Sequence, residues 1–199
     1  MPSRHAGPDD ASRLCTILVE AFTADPVWAF LIPDPEVAGL AARPAHRGDA
    51  GRARRLPRCG GHTYVADDGA AALWSPPGIR VDEGSLVETV SRHADPATLE
   101  AAAGPFLEIG MWRPDEPHFY LHLLGASDAA RGKGLGSMLL RRVTEVCDAE
   151  GWPAYLEAST RRSAALYERH GFEMQATIDF APGVAVHPML RRPNGRGLA

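Results

Sequence analysis

Arg131-Gly132-Lys133-Gly134-Leu135-Gly136 lies between an apolar run of strand length and a long amphipathic helix pattern, and its reading decides the fold. Three glycines at alternate positions leave the backbone bare where a helix begins, so several unpaired N–H groups can converge on an anion. Arg131 and Lys133 add positive charge there. The outline is a main-chain cradle for a pyrophosphate.

The flanking sequence sets the order of elements. Before the loop, Phe119-Tyr120-Leu121-His122-Leu123-Leu124 reads as a strand, ended by Gly125 and the Ala126-Ser127-Asp128 turn. After it, Leu135, Met138, Leu139, Val143 and Val146 recur at steps of three and four, and Gly151 supplies a C-terminal stop. The order is strand, short loop, glycine-rich turn, helix. A Walker A loop needs a glycine five positions before Gly132 and a hydroxyl residue after Lys133, where this chain has Ser127 and Gly134. The dinucleotide fingerprint Gly-x-Gly-x-x-Gly fails as well, because the spacing here is Gly-x-Gly-x-Gly.

The pattern resembles the coenzyme A loop of the GNAT family of N-acetyltransferases, Gln/Arg-x-x-Gly-x-Gly/Ala, with Arg131, Gly134 and Gly136 in its fixed positions. Further on, Leu166-Tyr167-Glu168-Arg169-His170-Gly171-Phe172 is similar to that family's late helix and its Gly-Phe exit into a strand. Tyr167 falls where many members keep a tyrosine. The resemblance covers Tyr64 to Pro77 and His118 to Pro193, and leans toward puromycin N-acetyltransferase-like members through Val65 to Ala71, Gly132 to Ser137, and Tyr167 to Arg169. It implies an α/β fold with a mixed (α+β) central sheet of about six or seven strands flanked by helices. It also implies a single N-acetyltransferase domain over residues 1–193 with a tail at 194–199, and acetyl-CoA as co-substrate without a metal.

Composition agrees with an ordinary enzyme-sized domain. The 199 residues are 45% hydrophobic and 23% charged, with a formal net charge of −4, so nothing points to a global preference for nucleic acid or an anionic membrane. The expected partner is a small-molecule amine, met by a monomer or homodimer. The three cysteines, Cys15, Cys59 and Cys147, have no metal-type pairing and read as reduced thiols in a cytoplasmic protein. Cys147 sits beside the apolar stripe of its helix, so burial is expected over nucleophilic duty. The N-terminus has no continuous apolar leader, and its longest apolar run, Val27 to Ile32, is far shorter than the ~20 residues that span a bilayer.

Asp9 or Asp10 can cap a first helix with apolar face Leu14, Ile17, Leu18, Ala21 and Phe22, which should break near Asp25-Pro26. Trp28 and Phe30 follow. The resemblance places them over the acceptor pocket; the plain alternative is that they anchor the helix in the core. Residues 38–61 carry six arginines (Arg43, Arg47, Arg52, Arg54, Arg55 and Arg58) and little apolar surface, which predicts a mobile loop. An arginine patch for an acidic partner and a locally altered reading frame are the other readings. His62–Trp74 reads as a hairpin around Asp67-Asp68-Gly69. Helices are expected over 82–93 and from Asp95-Pro96 to about Glu108. Ala154–Ala158 reads as a strand, Arg161–His170 as the last helix, and Phe172–Ile178 with Val184–Leu190 as a closing hairpin.

Acetyl transfer to an amine needs a held thioester, a proton acceptor and help for the departing thiolate. The N–H groups of Gly132, Lys133, Gly134, Leu135, Gly136 and Ser137 suit the pyrophosphate, alongside Arg131. By resemblance, the strand end Leu124-Gly125-Ala126 splays from its neighbour and pairs with the pantetheine arm. Tyr167 is the expected acid, since a phenol stays protonated at neutral pH; the bland alternative is a tyrosine packed under the sheet. His122 is the expected base. Strand alternation puts it on the face of Tyr120 and Leu124, or leaves it an ordinary sheet histidine; Glu108 and Glu157 stand in reserve. Relatives with a Leu-Glu-Ala-Ser strand end usually continue Asn-Pro-Arg-Asn, whereas this chain has Thr160-Arg161-Arg162-Ser163. The asparagine contacts to the cofactor would then fall to Thr160 or Ser163. The rival functional reading is an acyl-CoA-binding or sensing domain of the same fold without turnover.

Overall fold

A computed structural model describes residues 3–34, 62–79 and 84–194. The arginine-rich segment 38–61, Cys59 and the last five residues lie outside the described residues. Among the described residues eight strands form the sheet: β1 Ser3–His5, β2 Thr63–Ala66, β3 Ala70–Ser75, β4 Phe119–Ala126, β5 Ala154–Ala158, β6 Glu173–Met174, β7 Ile178–Ala181 and β8 Val184–Arg191. The path runs β1-β2-β3-β4-β5-β8-β6, with β7 also on β8. Among the described strands only β4 and β5 pair in parallel. The described helices are α1 Ala11–Phe22, α2 Pro26–Leu31, α3 Gly84–His93, α4 Pro96–Trp112, α5 Leu135–Glu150 and α6 Arg161–Glu168.

The sheet is buried on both faces. Along β3, Ala70, Ala72 and Trp74 join Leu139, Leu140 and Val143 of α5 on one side, and Ala71 and Leu73 meet Leu14, Ile17 and Leu18 of α1 on the other. A third apolar cluster ties Leu31 and Ile32 to Val90, Ala102, Phe180 and Val186. Cys147 is fully buried in the first, and burial pushes its thiol up to about 12.

The sheet departs from the sequence reading in two places. The extra strand β1 has no apolar run to announce it; it joins through backbone pairing of Ser3, Arg4 and His5 with Ala66, Val65 and Tyr64. The expected strand 172–178 is cut into β6 and β7. Pro188 of β8 accepts from Gln175 N–H at 2.8 Å but has no N–H to return, and pairing lapses until Ile178 meets Val186. Helix α4 runs to Trp112, beyond the expected Glu108, with Asp95 capping it through a 3.0 Å bond from Thr98 N–H. Asp10 precedes α1, but its carboxylate takes both Arg4 nitrogens at 2.7 Å and Gly7 N–H at 2.7 Å, so it braces β1 against the turn.

Candidate active site

The parallel pairing of β4 with β5 stops early. Phe119, Tyr120 and Leu121 match Ala154, Tyr155 and Leu156, and beyond them β4 continues to Ala126 paired only with β3. The edge of β4 from His122 onward is therefore parted from β5. The splay expected at Leu124-Gly125-Ala126 is present, and among the described residues no strand pairs with these three on the β5 side. Gly125 has a second reason to be glycine, because a Cβ there would lie 2.6 Å from Ala21 Cβ and 3.3 Å from Leu18 Cδ2. Helix α1 rests directly on the strand.

The chain leaves β4 through a turn at Asp128–Ala130, held by a 2.8 Å bond from Asp128 N–H to Glu20 Oε1 of α1. It then enters the glycine loop. Gly132 and Gly134 both have φ +77°, which a side chain resists, and Gly134 is the N-cap of α5. Among the described residues, the main-chain N–H groups of Gly132, Lys133, Gly134, Leu135, Gly136 and Ser137 have no acceptor; the first helical bond runs from Met138 N–H to Gly134 at 3.1 Å. A groove of about 370 Å³ lies against them, lined by Asp68, Lys133, Gly134, Leu135, Ser137, Met138 and Arg141. Gly136 packs under Leu166, where a Cβ would meet Leu166 Cδ2 at 3.4 Å.

Arg131 does not face this groove. Its guanidinium pairs with Asp128 at 2.6 Å and reaches the Ala21 carbonyl at 3.4 Å, so the turn and α1 hold it. The cations at the groove are Lys133 and Arg141. Ser163 is also committed elsewhere: its N–H gives to Thr160 Oγ1 at 3.0 Å while its hydroxyl bonds the Thr160 backbone, a reciprocal cap on α6.

Tyr167 is buried on α6, edge-on to Phe172 with ring centroids 6.0 Å apart. Its hydroxyl makes no hydrogen bond among the described residues. Burial, then the charge of Asp25, raises its pKa, so the phenol keeps its proton. Asp25 caps α2 through the N–H groups of Val27 and Trp28 at 3.0 and 3.2 Å, and its other oxygen accepts the Ser159 hydroxyl just past β5. Trp28 and Phe30 pack against the third apolar cluster, with Phe30 edge-on to Phe180 at 6.1 Å.

His122 is the extra residue of a bulge. Leu73 pairs with Leu123 and Trp74 with Leu121, leaving His122 unmatched, and the alternation of β4 resets across it. Leu124 therefore points to the α5 face, within 3.9 Å of a Gly136 Cβ, whereas His122 stays with Tyr120 at a ring distance of 4.2 Å. The shared face expected for Tyr120, His122 and Leu124 does not survive the bulge. The imidazole Nε2 bonds Ser75 Oγ at 2.9 Å, and burial, then the Arg113 charge, pulls its pKa down to about 4. Beside it, Tyr120 OH donates to Glu157 Oε2 at 2.6 Å, and Arg113 Nη2 lies 3.3 Å from Glu157 Oε1 with its guanidinium 4.6 Å over the Tyr120 ring. Ser75, Arg113, Tyr120 and Glu157 thus form a polar patch on the face opposite α5. Sequence reading had named only His122 and, in reserve, Glu157; Glu108 is exposed on α4. The missed signal is a repeat: Tyr120-Leu121 and Tyr155-Leu156 lie side by side in register, and His122 and Glu157 follow them where the two strands part.

Among the described residues no group of three or more His, Cys, Asp or Glu side chains gathers as a metal site, and no helix is long and apolar enough to cross a membrane. The model of the acetyltransferase (GNAT) family matches residues 63–172, more than half of the chain. Curated relatives match more locally. An uncharacterized N-acetyltransferase, C550.08, of Schizosaccharomyces pombe is 38% identical over 64 residues, which is 32% of this chain and 26% of that protein. The mycothiol acetyltransferase of Jonesia denitrificans is 36% identical over 77 residues, 35% of this chain and 24% of that protein. The chain therefore spans about a quarter of the length of the curated relatives it matches. Among solved structures, a histone acetyltransferase HPA2 and related acetyltransferase from Corynebacterium glutamicum superposes with TM-score 0.66 and 25% identity over 98% of each chain. Arylalkylamine N-acetyltransferase 2 of Aedes aegypti shares the fold at TM-score 0.64 and 14% identity, covering 97% of this chain and 99% of that one.

Proposed function

The chain belongs to the acetyltransferase (GNAT) family, and from that premise we propose that it moves an acetyl group from acetyl-CoA to the primary amine of a small molecule by direct attack in a ternary complex. The observation that carries this reading is the row of N–H groups from Gly132 to Ser137 without acceptors, set at the start of a long helix beside the splayed edge of β4. Those amides, with Lys133 and Arg141, suit a diphosphate; the edge from Leu124 to Ala126 suits the amide-bearing arm behind it. When bound, the thioester supplies the activated acetyl group. The chain's part is to hold it, keep water off it, and manage two protons. Tyr167, protonated and buried, suits delivery of one proton to the leaving thiolate. The polar patch of His122 and Glu157 suits removal of the other. Cys147, with a thiol pushed up to about 12, supports direct attack over an acetyl-cysteine intermediate. The puromycin N-acetyltransferase-like stretches and the free thiols of Cys15 and Cys147 support a small-molecule acceptor and a cytoplasmic setting, respectively.

Two measurements test the reading. Acetyl-CoA at 100 times its dissociation constant should add about 2.7 kcal/mol of stability, read as a thermal shift. Thiol release on a panel of primary amines should then reveal turnover. A thermal shift without thiol release would favour the acyl-CoA-sensing reading, and no shift at all would end both.

A further inference from the structure

We propose that Arg191 is a positioning residue for Tyr167, a clamp on the far end of α6 that sets where the phenol stands relative to the glycine loop. This rests on the acetyltransferase reading above, in which Tyr167 serves the leaving thiolate, and adds a residue that belongs neither to the groove nor to the polar patch.

Arg191 closes β8 opposite Ala154, and its side chain is 4% exposed. A guanidinium stays charged at every ordinary pH, and a charge so withdrawn from water needs fixed partners. It has two, on different helices. Nε donates to the His170 carbonyl just past α6 at 2.9 Å, and Nη2 donates to Asp148 Oδ2 in the last turn of α5 at 2.7 Å. Nη1 makes no hydrogen bond among the described residues, so those two bonds fix the plane of the group. Asp148 is itself held: its other oxygen accepts Asn194 N–H at 2.7 Å, and the bond from Arg191 keeps its carboxyl below the usual range. Gly171 makes room for the clamp. It has φ +83°, and a Cβ there would lie 3.4 Å from Arg191 Nε.

The path from clamp to phenol is short. His170 N–H donates to the Tyr167 carbonyl at 2.8 Å and Phe172 N–H reaches the same oxygen at 3.2 Å, so one closed turn joins the residue that Arg191 holds to Tyr167. A second tie between α5 and α6 lies one residue before Tyr167, where Leu166 covers Gly136. That contact is apolar and non-directional, so it fixes the spacing of the helices and leaves their sliding free. The clamp is charged and directional, and it stops the slide. Helix α5 starts at the row of bare amides and ends beside Asp148, so an α6 tied near both ends of α5 carries Tyr167 at a set distance from the groove.

The test is a double-mutant cycle with Tyr167→Phe, with acetyl-CoA and amine both saturating. Arg191→Met keeps the apolar stem and removes the fork; it is expected to lower kcat about 10-fold, as a misplaced catalytic group does, while calorimetry finds the dissociation constant for acetyl-CoA within about 2-fold of the wild type. Arg191→Lys, which keeps the charge without two directed bonds, and Asp148→Asn should fall between. In the Tyr167→Phe background the same three changes should alter kcat less than about 2-fold, because the hydroxyl they position is gone. A structural role alone would give equal losses in both backgrounds. The chain has four tyrosines, and with carbon-labelled tyrosine the ring resonance that Tyr167→Phe removes should shift in Arg191→Met. If Arg191→Met does not fold, Arg191→Lys and Asp148→Asn carry the same cycle. An unchanged kcat in the folded variants, or equal losses with and without the phenol hydroxyl, would overturn the clamp and leave the acetyltransferase reading in place. A Tyr167→Phe protein as fast as the wild type would overturn the donor role of Tyr167 in that reading, and the clamp with it.

Discussion

The glycine loop and the polar patch lie at the two sides of one splayed strand and hold their chemistry in opposite ways. At the loop the groups offered to a ligand are main-chain N–H donors, aimed by two glycines at φ +77° and the start of α5. At the patch every polar group named above is a side chain held by another side chain, drawn from β3, β4, β5 and the end of α4. A backbone site is sensitive to φ and steric access and indifferent to most side chains. A side-chain site is sensitive to single atoms. The contrast teaches where substitutions should change binding and where they should change rate.

The largest effect should come at Tyr167. Tyr167→Phe is expected to lower kcat with saturating amine about 100-fold while calorimetry finds acetyl-CoA affinity unchanged. An unaltered kcat would remove the hydroxyl from the chemistry and leave the patch alone responsible for proton handling.

Gly125→Ala should separate packing from binding at the splayed edge. Its Cβ would be forced to 2.6 Å from Ala21 Cβ, and a loss of about 1–3 kcal/mol in urea unfolding is expected. Undiminished stability would mean that α1 yields easily and that glycine serves the ligand there.

Gly134→Ala is the sharpest probe of the backbone side, because open space surrounds the site and only φ objects. The left-handed conformation costs an L-residue about 1–2 kcal/mol, so the dissociation constant for acetyl-CoA should rise roughly 10-fold. Unchanged affinity would break the claim that backbone geometry carries the binding.

Acid stability probes the other side. The His122 ring is pulled from 6.5 to about 4, so between those values the unfolded chain binds a proton that the folded chain refuses. This contribution to stability is complete above about pH 6.5 and is lost as pH falls toward 4. In His122→Gln that part of the pH dependence of the urea midpoint should flatten; coincident slopes would mean that the ring is not held neutral by its surroundings.

The smallest effect compares two cations on the loop. Lys133→Ala should weaken acetyl-CoA binding about 3-fold, within the range of exposed charge interactions. Arg131→Ala should weaken it less, because Arg131 is already paired with Asp128. The reverse order would mean that Arg131 leaves Asp128 when ligand binds.

Much of the fold was legible because its signals are local. The strand before the loop, the stripe of α5, the Asp67-Asp68-Gly69 hairpin and β5 at Ala154–Ala158 each follow from neighbouring residues. What escaped involved pairing at a distance. Strand β1 is three polar or charged residues recruited by β2, and the cut between β6 and β7 originates in Pro188 on a different strand. The site divides the same way. Gly132 to Ser137 were readable as a bare-amide turn, but the turning of Arg131 to Asp128, the capping duty of Ser163 and the bulge at His122 were not.

By itself the sequence determined where the backbone could be bare, because φ and side-chain bulk belong to each residue and its nearest neighbours. Tertiary structure alone decided which polar side chains meet. Register set Tyr120-Leu121 beside Tyr155-Leu156, which brings the Tyr120 hydroxyl to Glu157, and the end of α4 brought Arg113 against them. Such meetings join residues far apart in the chain, and a shift of pairing by one residue turns every side chain of a strand to the other face.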